Sequence, residues 1–307
     1  MPLVTSKELF KQAMADRFAV GAFNANNMEQ VQAIVETAQE ERAPVILQVS
    51  QGAIRYCGLS MAAGMVKIAA SLVDVPVVLH LDHGTDFEQN VRCLREGFTS
   101  LMFDGSKLPF DENVAITRKI CEIANCCDIP VEAELGKVLQ AKDNVTPEDV
   151  RKAMTDPDEA RKFLELTGAF SLAVAVGSVH AMESQAAELD IDRIRAIRDA
   201  THAPLVLHGS SGVTDASLVA AIENGVVKIN VATYLNQGFV EGIKKGIEQD
   251  PHNVDPRKWL AIGRDNVKER VREKIRLFRS NGRISSSGGF VSPPTQHRSV
   301  HLGGAEE

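Results

Sequence analysis

Three histidines and a glutamate in this chain stand at or near the ends of short apolar runs of the kind that form buried strands. The runs are Val77-Val78-Leu79-His80-Leu81-Asp82-His83-Gly84, Val131-Glu132-Ala133-Glu134-Leu135-Gly136, Ala173-Val174-Ala175-Val176-Gly177-Ser178-Val179-His180 and Leu205-Val206-Leu207-His208-Gly209-Ser210-Ser211. A further run, Val226-Val227-Lys228-Ile229-Asn230-Val231-Ala232-Thr233, ends in polar groups without a histidine. In an α/β barrel the C-terminal ends of the strands meet at one mouth, so His83, His180, His208 and Glu134 can converge on a single ion. Imidazole nitrogen and carboxylate oxygen are ligands that zinc accepts, and a catalytic zinc keeps one position for water or substrate. A lone histidine at a strand end is more often an ordinary hydrogen-bonded residue. Three at equivalent positions turn that balance towards metal-assisted chemistry.

Neighbouring residues add an acid–base group and an anion cradle. Alternation along a strand puts His80 and Asp82 on one face, while His83 falls beyond the strand and is free to turn over the mouth. Asp82 therefore reads as chemical and His80 as structural, with a loop-capping aspartate as the plain alternative for Asp82. Glu132 and Glu134 also share a face, and two carboxylates inside a barrel need a cation, a partner or a proton. A metal answers that need. Gly209-Ser210-Ser211-Gly212 and Asn230-Val231-Ala232-Thr233 follow the seventh and eighth strand runs, where such barrels commonly build a phosphate site from backbone N–H groups and hydroxyls. Taken alone, a Gly-Ser-Ser-Gly turn is about as often a plain turn.

The elements that must position these groups alternate regularly. Strand-like runs at 18–23, 45–49, 77–81, 100–103, 131–135, 172–176, 205–207 and 226–231 are separated by helix-period segments at 28–41, 60–72, 87–96, 112–124, 158–166, 191–200 and 216–223. That spacing predicts a (β/α)8 TIM barrel, with further helices at 234–248 and 266–278. Pro44, Pro76, Pro130 and Pro204 stand just before strands, where a missing amide hydrogen costs little. The long break from 137 to 155 falls on the presumed active face, where a mobile lid would sit. The Ser-, Gly- and Pro-rich end predicts a single barrel domain over 1–280 and a flexible tail over 281–307.

With 307 residues and 44% hydrophobic content, the chain suits one barrel plus extensions better than two small domains. A net charge of −7 argues against a general nucleic-acid or acidic-membrane surface, so any anionic substrate must be held locally. Five cysteines without a CxxC pair argue against a disulfide framework and for a reduced, cytoplasmic compartment. No run approaches the roughly 18 apolar residues of a membrane span.

Six segments, taken in order, resemble the class II, metal-dependent ketose-bisphosphate aldolases of the fructose- and tagatose-bisphosphate type. They are Gly21-Ala22-Phe23-Asn24, Pro44-Val45-Ile46-Leu47-Gln48-Val49-Ser50, Leu79-His80-Leu81-Asp82-His83-Gly84, Val131-Glu132-Ala133-Glu134-Leu135-Gly136, Leu207-His208-Gly209-Ser210-Ser211 and Lys228-Ile229-Asn230-Val231-Ala232-Thr233. The resemblance implies Zn2+ held by His83, His180 and His208, with Glu134 on or near a second divalent or monovalent cation position beside Asp104. It implies a phosphorylated ketose substrate, cleaved reversibly through a zinc-stabilised enediolate to dihydroxyacetone phosphate and an aldehyde such as glyceraldehyde 3-phosphate. Asp82 would move the proton at the broken bond and Asn230 would hold the enediolate. Gly209, Ser211, Ala232 and Thr233 would take the phosphate next to the ketone, and Asn24 and Ser50 would contact substrate. Family members are homodimers or homotetramers, and the charged helix at 264–279 is the expected contact.

The chain also departs from the family pattern. After Glu-Leu-Gly the family carries a Gly-Gly pair followed by acidic residues, one of which takes a proton from the triose; here Lys142 stands at that position and Asp143 follows it. His180 is followed by Ala181-Met182-Glu183-Ser184 instead of the family's glycine and lysine. The basic residue that reaches the distal phosphate from a neighbouring subunit is missing, with Arg257, Lys258 and Arg264 as substitutes. Two other readings therefore stay open: an aldolase for a ketose 1-phosphate or other single-phosphate sugar, and a catalytically degenerate barrel that binds metal or sugar phosphate. An amidohydrolase-type centre is disfavoured because the first strand lacks a His-x-His pair.

Overall fold

The computed structural model describes residues 3–140, 146–180, 187–285 and 288–291, with the side chains of Gln140 and His180 outside the described set. Among the described residues, eight parallel strands form a barrel: β1 (Val20–Asn24), β2 (Val45–Ser50), β3 (Val77–Asp82), β4 (Leu101–Phe103), β5 (Val131–Leu135), β6 (Ser171–Val174), β7 (Leu205–Leu207) and β8 (Val226–Val231). The hydrogen-bonded order is β3-β2-β1-β8-β7-β6-β5-β4. The ring closes between β3 and β4 through a parallel bridge between His80 and Ser100, with Leu81 N donating to Ser100 O at 3.1 Å. The expected (β/α)8 TIM barrel is therefore the fold.

Strands covered on both faces read as nearly continuous apolar runs, which is why the sequence shows few gaps in hydrophobicity here. The outward residues, such as Leu79, Leu81, Leu205 and Leu207, join the main core between strands and helices. The inward residues form layers. At the bottom, Val20, Ile46, Val78 and Val227 pack against Leu9, Phe10, Ala13 and Phe18. The helix Ser6–Asp16 supplies three of those side chains and plugs the lower end of the barrel. Sequence periodicity alone did not separate this helix, although Leu9, Phe10 and Ala13 lie on one face.

The 137–155 break contains more structure than a simple lid. Leu139–Gln140 pairs in parallel with Val179–His180, and a helix, Pro147–Ala153, follows the capping box made by Thr146 and Asp149. Thr155 Oγ1 donates to Leu135 O at 2.5 Å and accepts from Ala175 N at 2.9 Å, anchoring the segment to β5 and to the loop after β6. Residues 141–145, which hold Lys142 and Asp143, lie outside the described residues.

The last helix, Pro256–Leu277, begins well before the expected 266. Asp255 caps it by accepting from Arg257 N at 3.1 Å, and Pro256 opens it. Gly263, a local helix weakener, hides this continuity in the sequence. It is there for contact: a Cβ on Gly242 of the helix Thr233–Gln249 would lie 2.7 Å from Gly263 Cα. The charged helix expected to face solvent or a second subunit docks on the helix Met28–Glu40, where Lys268 meets Glu36 at 2.6 Å and Arg276 meets Glu41 at 2.7 Å just beyond its end. Of the expected tail, Ile284 is buried and bridges Phe290, while Arg42 Nε donates to Ile284 O at 3.2 Å; residues 292–307 lie outside the described residues. Among the described residues no helix is long and apolar enough to cross a membrane.

Candidate functional site

The period of two carries one polar layer to the upper ends of the strands. Asn24, Ser50, Asp82, Glu134 and Asn230 lie on β1, β2, β3, β5 and β8, and Asp104 and His208 immediately follow β4 and β7. His83 follows Asp82 with φ of 49°, a left-handed conformation that side-chain-bearing residues seldom adopt outside turns and functional sites. That turn folds its ring back towards the barrel, 4.7 Å from the His208 ring in an edge-on arrangement.

Donor atoms of His83, Glu134 and His208 lie within 4.8 Å of one another, close enough to share an ion. Glu134 Oε2 is buried, makes no hydrogen bond among the described residues and lies 3.4 Å from His208 Nδ1. A buried carboxylate oxygen left in this way is costly unless a cation completes it. Two imidazoles and a carboxylate are a donor set that zinc accepts. His180 reaches the described structure only as backbone, opposite Gln140, so its side chain lies outside the described residues.

The local charges respond to one another. Burial presses the His83 imidazole towards neutrality, but the carboxylates of Asp82, Asp104 and Glu134 outweigh it and raise its pKa to about 10. Burial, reinforced by the charge of Asp104, pushes Glu134 up to about 8. Burial works upward on Asp104 too, yet the hydrogen bond and charge of His83, with help from Ser106, hold its carboxyl well below the usual range. His83 Nδ1 and Asp104 Oδ2 are 2.9 Å apart, and Asp104 Oδ1 accepts from Ser106 N and Oγ at 3.1 and 2.7 Å.

Asp82 is held by two amides. Its Oδ2 accepts from Asn24 Nδ2 at 2.7 Å and its Oδ1 from Asn230 Nδ2 at 3.4 Å, while Gln48 Nε2 donates to Asn24 Oδ1 at 2.6 Å. It faces the interior from a strand, which removes the loop-capping alternative. Asp82, His83, Glu134 and Asp104 line a cavity of about 770 Å3 together with Asn24, Ser50, Gly209, Ser211, Asn230, Ala232 and Thr233. His208 is fully buried beside it. Ser210 Oγ donates to Asn230 O at 2.5 Å and joins the β7 loop to β8.

One layer below lies a polar chain whose pairing the sequence did not show. Glu132 Oε1 is 2.9 Å from His208 Nε2, and Glu132 Oε2 accepts from Lys228 Nζ at 2.8 Å. Lys228 Nζ is also 3.3 Å from His80 Nε2, and His80 Nδ1 is 2.8 Å from Ser100 Oγ. Burial, then the charge of Lys228, lowers the His80 pKa well below its usual value, so the ring is neutral and accepts from the ammonium. His80 is buried in this chain below the cavity and does not line it. The two β5 carboxylates thus have different partners: a lysine for Glu132 and the histidine cluster for Glu134. The available signal was Lys228 itself, a cation at an inward position of an otherwise apolar strand.

The sequence pattern of the class II fructose-bisphosphate aldolase family matches residues 4–283, and the chain belongs to that family. Among solved structures it is similar to the YdjI aldolase from Escherichia coli K12, with 34% identity and a TM-score of 0.80 over 91% of this chain and 98% of that one. A fructose-bisphosphate aldolase from Campylobacter jejuni shares the fold, with a TM-score of 0.78 at 22% identity, over 91% of this chain and 96% of that one. Membership makes the protein a lyase of aldolase type, in a family that is typically metal-dependent.

The Lys228–Glu132 pair gives a stability prediction. Lys228→Met leaves a buried carboxylate without its cation and should lower unfolding free energy in urea by about 3–5 kcal/mol. Adding Glu132→Gln should recover most of that loss. A single variant within about 1 kcal/mol of the parent would show that the pair is not what neutralises Glu132.

Proposed function

We propose that this aldolase reversibly cleaves a phosphorylated ketose of the fructose- or tagatose-1,6-bisphosphate type to dihydroxyacetone phosphate and an aldehyde, with zinc as its metal. The observation that carries the reading is the shared cavity: His83, Glu134 and the Asp82 carboxylate line the same space as Gly209, Ser211, Ala232 and Thr233, with His208 buried beside it and completing the cluster. His83, His208 and Glu134 would hold the metal, with His180 as the fourth candidate ligand, and a zinc ion bound there would supply Lewis acidity towards a ketone oxygen.

The protein's own groups account for the rest. Glu132 accepts from His208 Nε2–H and so presents Nδ1 as a lone-pair donor; Asp104 accepts from His83 Nδ1–H and leaves Nε2 for the same purpose. With both its oxygens engaged by His83 and Ser106, Asp104 orients a ligand rather than serving as one. Asp82, positioned by Asn24 and Asn230, takes the proton from the hydroxyl at the carbon released as aldehyde and returns it in the condensation direction. Asn230 Nδ2 offers hydrogen-bonding capacity to the charge that develops beside it. Backbone N–H groups of the β7 and β8 loops, with the Ser211 and Thr233 hydroxyls, receive the phosphate next to the ketone.

A panel of ketose mono- and bisphosphates tests this reading. Zinc-loaded enzyme should release dihydroxyacetone phosphate at a rate abolished by chelator, and Asp82→Asn should keep its zinc while turnover falls by about 10²–10⁴. No chelator-sensitive release from any member of the panel would favour the binding-only barrel, and undiminished turnover in Asp82→Asn would remove that residue from the chemistry.

Zinc affinity should also depend on pH with a definite sign. His83, raised to about 10, and Glu134, raised to about 8, are protonated in the metal-free protein near neutrality and must lose those protons to ligate. Affinity should therefore rise with pH, by about tenfold or more per unit, and more steeply below 8 than above it. A zinc titration that is flat between pH 6 and 9 would contradict the assignment of both ligands.

A further inference from the structure

The helix Leu59–Ser71 on the outer wall of the barrel lacks the polar face of its neighbours. Between Gly58 and Val73 the sequence has one charged residue, Lys67, whereas the helices Phe87–Arg95 and Phe110–Asn125 turn Glu88, Arg92, Lys119 and Glu122 to solvent. Its inward face buries Ala62, Ala63, Val66 and Ala70. Its outward face carries Met61, Ile68 and, at the C-cap, Leu72, which are 61%, 67% and 79% exposed, with Met65 half-buried between them. Elsewhere among the described residues no element presents more than two exposed large apolar side chains. A helix that is apolar on all sides is normally a covered one.

The spacing of the stripe points to what covers it. Met61, Met65, Ile68 and Leu72 are separated by four, three and four residues, the alternation of a helix-on-helix seam, and that series reads the same in both directions. A two-fold axis crossing the helix between Val66 and Lys67 therefore sets Met61 of one copy against Leu72 of the other, and Met65 against Ile68, over about 16 Å of helix. An unrelated partner would not require this symmetry. Two chains of net charge −7 repel each other over most of their surface, but the stripe brings no carboxylate to the contact. Lys67 leans aside, with its Nζ 3.1 Å from where a Cβ on Gly97 would lie. At the edges Ser60 Oγ donates to Glu96 Oε1 at 2.9 Å and Asp74 N to Gln39 Oε1 at 2.9 Å, which supplies the polar rim that surrounds an apolar interface core.

We propose that the outer face of the helix Leu59–Ser71 is a two-fold, antiparallel contact between two copies of this chain. The charged helix at 264–279, where the sequence suggested subunit contact, instead pairs Lys268, Arg272 and Arg276 with Glu36, Glu40 and Glu41 of its own chain. The stripe offers apolar groups that their own chain leaves exposed, and removing them from water drives association. Met61 and Met65 are unbranched and adaptable, suited to fill the spaces around the branched Leu72 and Ile68 of the other copy. None of the four lines the cavity, so the contact is independent of the chemistry proposed there.

Sedimentation velocity on the full chain, over a range of protein concentrations, tests the contact. The parent should form an assembly whose mass halves in Ile68→Glu or Leu72→Glu, with the dissociation constant raised at least about tenfold because a carboxylate must be desolvated in an apolar contact. Ile68→Ser, which adds no charge, should act in the same direction and serves where a charged variant fails to fold. Met61→Lys alone should also weaken the assembly. Combined with Leu72→Glu it should restore it, because the antiparallel arrangement sets ammonium against carboxylate twice across the axis. A parallel arrangement would set like charge against like and give no recovery. A parent that is monomeric at every concentration, an assembly indifferent to the substitutions at Ile68 and Leu72, or a double variant no tighter than Met61→Lys would overturn the proposal.

Discussion

Glu132 and Glu134 are carried into the barrel together, because residues two apart on β5 must point the same way. Both are almost completely buried, and an isolated carboxylate in such surroundings would either take up a proton or destabilise the fold. The interior meets the two differently. Lys228, fully buried on β8, approaches Glu132 to 2.8 Å, while Glu134 is turned one layer higher towards His83 and His208. The middle of the barrel thereby holds an ion pair, while among the described residues no lysine pairs with the Glu134 carboxyl at the top.

That division links packing to chemistry through a single histidine. Glu132 contacts both Lys228 and His208, so the lysine fixes the carboxylate and the carboxylate fixes the ring. His83 is held in the corresponding way by Asp104 from β4. The lower layer of Val20, Ile46, Val78 and Val227 against the helix Ser6–Asp16 gives these polar layers a dry floor. In that environment hydrogen bonds are electrostatically stronger than in water and each unmet group more costly. Asp82, Glu134 and Asn230 are on strands and His83, Asp104 and His208 one residue beyond them, whereas Gly209 and Ala232 of the rim lie in the connections at the mouth.

His83, Asp82, Glu134 and His208 were legible in the sequence because a barrel converts strand-end position into spatial convergence, and strand ends can be recognised locally. Lys228 was not, since its partner Glu132 is 96 residues away and nothing in the local pattern pairs them. The helix Ser6–Asp16 was overlooked because its short apolar face gains meaning from the barrel floor it covers. The early start of Pro256–Leu277 was masked by Gly263, whose purpose is contact with Gly242 rather than termination.

The proposed metal site depends most on Glu134, which pairs with no lysine among the described residues, joining His83 and His208 as a ligand. Zinc K-edge X-ray absorption on the reconstituted protein tests this directly. The account predicts a shell of imidazole nitrogen and carboxylate oxygen at about 2.0–2.2 Å, with the oxygen contribution reduced in Glu134→Gln. A sulfur shell at about 2.3 Å, or a spectrum without imidazole scattering, would place the zinc elsewhere and contradict it.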